Sequence, residues 1–235
     1  MFDAILFDLD GTLVENDMHR FVTEYFQTLG PRIKQICPDK DYIKLILQAN
    51  QAMLTAGRSV DCLLDLFLRE FTRLTGILEH QALAIFNAYY ENEYKNLQVV
   101  KPVPLAYESI QTALQLTDNV VIATLPIFPQ PAIRQRLEWG KINDFSYKLV
   151  TGCDIMHTSK PHVDYFLEIA EIINCDPKRC LMIGNDYIDD MAAVECGMTT
   201  FLLNTFPLNR DKGKHTPDYT GDMQELNNFF KNCSN

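Results

Sequence analysis

The chain has 235 residues, 21 of them basic and 31 acidic, for a formal net charge of −10. That charge repels a phosphate backbone at long range, which argues against general nucleic-acid binding; a small anionic substrate would need local positive charge or a metal ion. With 47% hydrophobic and 22% charged residues, and no apolar run near the ~20 residues of a membrane helix, the composition suits one large folded domain, or one domain plus an insert, away from the bilayer.

Met1-Phe2-Asp3 lacks the positive start of a signal peptide. Seven irregularly spaced cysteines without a C-x-x-C pair predict reduced thiols in a cytoplasmic protein rather than a disulfide scaffold or a zinc ribbon. The first element, Ala4-Ile5-Leu6-Phe7, reads as a buried strand ending in the turn Asp8-Leu9-Asp10-Gly11-Thr12. Residues 15–98 then carry four apolar sets at helical spacing, around Phe21–Leu29, Ile43–Leu54, Leu63–Leu74 and Leu83–Tyr90, with Gly30-Pro31, Pro38-Asp39, Gly57 and Gly76 as breakers. This stretch predicts a strandless four-helix cap with its own core, inserted into a domain made of residues 1–14 and 99–235.

Lys101-Pro102-Val103-Pro104 reads as a linker, after which strands and helices alternate. Strands are expected at 120–123, 147–150, 180–183 and 199–203. Helices are expected at 131–139, from Pro161 onward, at 191–196 ending on Gly197, and at 222–231. Such alternation implies an α/β, Rossmann-like parallel sheet with helices on both faces, whose ligands sit beyond the carboxyl ends of the strands.

Those ends carry an informative set. Strand one stops at Asp8 and Asp10, the 120–123 strand at Thr124, and the 180–183 strand at Gly184-Asn185-Asp186, with Asp189 and Asp190 following. Lys160 precedes a helix start. Carboxylates crowded into one crevice repel each other, and a divalent cation removes that cost. Magnesium, with oxygen ligands and room for phosphate and water, fits acids plus one lysine and one hydroxyl.

Phe7-Asp8-Leu9-Asp10-Gly11-Thr12, Thr124, Lys160-Pro161 and Gly184-Asn185-Asp186 through Asp190 resemble, in order, the four motifs of the haloacid dehalogenase superfamily, in its phosphatase branch. The helical insert resembles the cap found after the first motif. The resemblance implies that Asp8 is the nucleophile, that Asp10 is the general acid and then base, and that Thr12 braces the turn. It also implies that Thr124 and Lys160 hold the phosphate, that Asp8, the Asp10 carbonyl and Asp186 bind Mg2+, and that Asp190 stands behind Lys160. Two features depart from the pattern. Leu125-Pro126 follows the hydroxyl of the second motif, and the fourth motif reads Gly-Asn-Asp, which leaves Asp189 as an alternative to Asp190. Asp10 separates phosphoryl transfer from dehalogenation, since a halide leaves without a proton.

The expected function is hydrolysis of a small phosphorylated metabolite, with a sugar phosphomutase as the alternative. A phosphonate hydrolase would need a cap lysine such as Lys34, Lys40 or Lys44. A receiver-like protein that accepts phosphate without turnover is the non-enzymatic option. In the cap, Arg58 is the candidate for a substrate anion, with His19 and Arg20 weaker; His157 reads as structural.

Overall fold

Ala4–Phe7 (β1) is buried along its whole length, which is why an uninterrupted apolar run suits it. The computed structural model describes residues 2–97 and 99–233. β1 lies near the middle of a six-stranded parallel sheet with β4 (Val120–Ile122), β5 (Leu149–Val150), β6 (Cys180–Gly184), β7 (Thr199–Leu203) and β8 (Tyr219–Gly221). The order is β5-β4-β1-β6-β7-β8. Chain direction reverses across the sheet at β1, between β4 and β6, and that reversal opens a crevice at the strand ends. Of the helices, α5 (Ala106–Leu116) packs against α8 (Met223–Cys233), and α7 (Val163–Ile173) against the 3-10 segment Met191–Cys196. Right-handed crossovers place these two pairs on opposite faces, with α6 (Gln130–Trp139) on the α5 side.

Between β1 and α5 the chain forms α1 (Met18–Ile36), α2 (Tyr42–Thr55), α3 (Leu63–Thr75) and α4 (Glu79–Asn92). Asp17 and Asp41 start the first two by accepting the backbone N–H of Arg20 and Lys44. Pro31 was expected to end a helix, but α1 runs through it. A proline inside a helix costs about 3 kcal/mol. α1 buries Phe21, Tyr25, Phe26, Leu29 and Ile33, each worth roughly 1.5–3 kcal/mol, so packing prevails.

The cap is not strandless, and its interior is not separate. Val14–Asn16 (β2) pairs antiparallel with Val100–Pro102 (β3), so the two connections to the cap are zipped together where a plain linker was expected. The cap's expected end at residue 98 lies outside the described residues. One apolar cluster runs from the sheet into the cap, joined by Phe128 against Phe21 and Tyr25 and by Tyr94 stacked on Trp139. Three backbone bonds dock the cap on the loop after β5: Ser59 N–H to His157 O, Leu63 N–H to Met156 O and Leu64 N–H to Cys153 O. No helix among the described residues is long and apolar enough to cross a membrane.

Candidate active site

The turn after β1 is set by its backbone. Leu9 O accepts the N–H groups of Thr12, Leu13 and Val14, and Gly11 sits at φ +83°, a conformation that suits glycine. A Cβ on Gly11 would lie 2.3 Å from Asn185 Nδ2, so the turn and the β6 end fit only without a side chain there. Thr12 Oγ1 donates to Asn185 Oδ1 at 3.2 Å, and Asn185 Nδ2 donates to Phe206 O at 2.6 Å. Asn185 therefore ties the first turn to the β6 turn, which leaves Asp186 to face the crevice.

Asp8, Asp10, Thr124, Lys160, Asp186, Asp189 and Asp190 all line one cavity of about 250 Å³ at the strand ends. Lys160 Nζ, buried, donates to Asp8 Oδ1 at 2.9 Å and to Asp190 Oδ1. Asp190 Oδ2 accepts the N–H groups of Asn185 and Asp186, both at 2.9 Å. A Cβ on Gly184 would collide with Asp190 at 2.1 Å, so the glycine admits that carboxylate. Asp189 makes no such bonds; between the two acids that followed Asp186 in the motif, it is Asp190 that reaches Lys160. Asp186 is fixed by Ile188 N–H and Asp189 N–H on Oδ1 and by Asn209 Nδ2 on Oδ2. Thr124 is anchored through its carbonyl, which accepts Tyr165 Oη at 2.7 Å and Thr151 Oγ1 at 3.1 Å.

Electrostatics make this a charged, under-neutralised site. Burial works against the Lys160 ammonium, but Asp190 and Asp8 outweigh it and hold its pKa well above the usual lysine range. Burial pushes the Asp8 carboxyl up to about 7; Lys160 opposes this, while Asp190 and Asp10 add to it. Burial and the nearby Asp186 push Asp189 up to about 6. The cavity is lined by Asp8, Asp10, Glu15, Asp186, Asp189 and Asp190 against only Lys160 and Arg136. That excess of hard oxygen donors fits a divalent cation. Among the described residues no three His, Cys, Asp or Glu side chains converge as a ready-made cage. A cation here would therefore take two carboxylates, Asp8 and Asp186, together with a backbone carbonyl, water and phosphate.

Arg136, which sequence reasoning did not single out, is the main addition. Its guanidinium is buried, pairs with Asp10 Oδ2 and donates to Tyr94 Oη at 2.9 Å. It packs against the rings of Phe21 from the cap and Phe128 from the core, 4.4 and 4.6 Å from their centroids. Asn16 Nδ2 holds the other oxygen of Asp10 at 2.8 Å. The sequence signal was faint: an arginine in an otherwise apolar helical stripe beside Ile133 and Leu137.

Other expected residues lie elsewhere. Arg58 does not line the cavity; it pairs with Glu171 of α7 at the surface, because the α2–α3 loop is docked with that side chain turned toward α7. His19 and Arg20 are exposed, and Arg20 pairs with Glu24 one turn on. Lys40 caps the C-terminal carbonyls of α3, and Lys34 lies over the Tyr42 ring. His157 Nδ1 meets the buried Glu168 at 2.7 Å, a structural contact.

The family described as haloacid dehalogenase-like hydrolase matches residues 2–197. The chain belongs to that family. Among curated relatives of this haloacid dehalogenase-like hydrolase is a phosphoglycolate phosphatase of Psychrobacter arcticus, 24% identical over 230 residues, covering 95% of this chain and 88% of the relative. Another is the pyrophosphatase PpaX of Bacillus mycoides, 21% identical over 226 residues, covering 95% and 94%. Among solved structures, a HAD phosphatase from Thermococcus onnurineus superposes with a TM-score of 0.58 at 19% identity, covering 97% of each chain. A 2-haloacid dehalogenase from Pseudomonas syringae pv. Tomato gives 0.63 at 16% identity, covering 99% of this chain and 100% of its own. These structural likenesses establish the α/β fold with its helical cap; they do not separate phosphatase from dehalogenase.

Proposed function

We propose that this hydrolase is a Mg2+-dependent phosphomonoesterase that works through an aspartyl-phosphate on Asp8. The observation that carries the reading is Asp10. It lines the same cavity as Asp8, two residues on, and is held there by Arg136 and Asn16. An alkoxide leaving group needs a proton, and a halide does not. Asp8 Oδ2, the oxygen not bonded to Lys160, attacks phosphorus as the P–O bond to the organic group breaks, and Asp10, which first takes up a proton at one of the oxygens that accept from Arg136 and Asn16, gives that proton to the departing oxygen. Asp10 then takes a proton from water, whose oxygen attacks phosphorus and releases Asp8 and inorganic phosphate. Lys160 neutralises Asp8 and a phosphate oxygen, Thr124 donates to another, and Asp190 keeps Lys160 aimed. Asp8, the Asp10 carbonyl and Asp186 would hold Mg2+, which would supply charge neutralisation to the phosphoryl oxygens. The cap of residues 15–98 excludes bulk water.

The test is release of inorganic phosphate from phenyl phosphate, with Mg2+ and with chelator, by the wild type and by Asp8→Asn. Turnover that requires Mg2+ and is abolished in the variant is expected. Undiminished turnover by Asp8→Asn, or none by the wild type, would overturn the reading.

A further inference from the structure

Next to the carboxylate-lined cavity lies a second one of about 130 Å³ inside the cap. Each cap helix contributes an apolar wall residue: Phe21 from α1, Met53 from α2, Phe67 from α3 and Phe86 from α4. Among the described residues no charged side chain lines it. Two of its few polar groups, the hydroxyls of Tyr25 and Tyr90, bond to each other at 2.9 Å, and burial keeps the Cys153 thiol neutral. Met18, Ile127 and Phe128 line both cavities, so the two abut along these three side chains. The cap cavity reaches the surface between α1 and α2, where Val22 and Leu47 are 41% and 52% exposed.

The charges in the first cavity narrow what the rest of the substrate can be. Lys160 is matched by Asp8 and Asp190, and Arg136 by Asp10. Among the described residues no other cationic side chain lines either cavity. A second anionic group on the substrate, such as a carboxylate or another phosphate, would find no unpaired cationic side chain; the free donor there is Arg136 Nη2, on a guanidinium already paired with Asp10. An apolar group would meet aromatic and aliphatic walls. For scale, an engineered cavity of ~150 Å³ lined by Leu, Ile and Phe stays dry and binds benzene.

We propose that the site selects phosphomonoesters whose organic group is apolar, an aryl ring or an alkyl chain, and that this group lies in the cap cavity. The inference rests on the phosphatase reading for its chemistry, and on the cavity walls for its selectivity. Burying one methylene is worth about fourfold in affinity or in kcat/KM. Because the cavity opens at Val22 and Leu47, chains longer than it can enclose should level off rather than be rejected.

The experiment is a kcat/KM series on the full chain with Mg2+, using methyl, propyl, hexyl and benzyl phosphate, whose leaving alcohols are of similar basicity, beside phosphoglycolate and pyrophosphate. The expected result is a rise of about fourfold per methylene to a plateau, with benzyl phosphate at least about a hundredfold better than methyl phosphate, phosphoglycolate or pyrophosphate. Met53→Trp, which fills the cavity, should flatten the series. A parallel calorimetric titration of the Mg2+-loaded wild type with methyl-, propyl- and benzylphosphonate reads the same preference without turnover. A flat phosphonate series, or a preference for phosphoglycolate or pyrophosphate, overturns the proposal whatever is hydrolysed. A steep phosphonate series with no hydrolysis of any ester leaves the apolar site standing and removes the phosphatase reading.

Discussion

Replacing Arg136 with methionine tests whether it positions Asp10. Methionine keeps much of the packing against Phe21 and Phe128 but removes the guanidinium that pairs with Asp10 and Tyr94. Breaking a fully buried ion pair costs about 3–5 kcal/mol because the surviving charge is stranded. Asp10 is not stranded: its side chain is 24% exposed and Asn16 still donates to it. That lowers the expected loss to about 2 kcal/mol. For a chain of this length the loss corresponds to a fall in Tm of about 4–8 °C. Well-placed general acids contribute about 10²–10⁴-fold, so freeing Asp10 without removing it should lower kcat by about 10–100-fold. KM should change little, because the Arg136 charge is spent on Asp10. Arg136→Lys keeps the charge, but its single nitrogen cannot span Asp10 and Tyr94, so it should fall between. Steady-state kinetics on phenyl phosphate and thermal melts of the three proteins supply the numbers. A wild-type kcat in Arg136→Met refutes the positioning role. A raised KM with unchanged kcat would show instead that Arg136 binds substrate.

Lys160→Met should cost about 3–5 kcal/mol by denaturant unfolding, because Asp8 and Asp190 would be left buried without their partner. Combined with Asp190→Asn it should cost less than the two separate losses added, and strict additivity would show that the pair does not act as a unit. The raised Asp8 pKa makes stability pH-dependent: its contribution in metal-free protein is present below about pH 4 and is lost as pH rises through about 7. Mg2+ binds the ionised carboxylate, so its gain in Tm should be larger at pH 7.5 than at pH 5; equal gains would place the ion elsewhere. Arg58→Ala should shift Tm by less than about 1 °C, since its partner Glu171 is exposed, and should leave kcat/KM within about twofold. A large loss of activity would return that arginine to the site.

Most of the sheet was legible because parallel strands buried on both faces read as unbroken apolar runs, as in Ala4–Phe7 and Cys180–Gly184. β8 was missed because three residues at a sheet edge carry no periodicity. α5 was passed over although Ala106, Ile110, Ala113 and Leu114 recur at helical spacing, and both elements depend on neighbours for their stability. Pro31 misled because local propensity gave way to tertiary burial. In the site, Asp8, Asp10, Thr124, Lys160, Asp186 and Asp190 could be picked out because each sits at a strand end or before a helix, where a polar residue after an apolar run stands out. Such local contrast, read with the motif resemblance, pointed to the fold class and to the acid–lysine set, with Asp189 and Asp190 both left open. Only the tertiary structure decided that Arg136 serves Asp10, that Asn185 braces Gly11, that Arg58 faces away, and that four helices close around an apolar cavity. Those contacts join residues up to 173 positions apart, and the side-chain directions that make them are set by packing rather than by sequence neighbours.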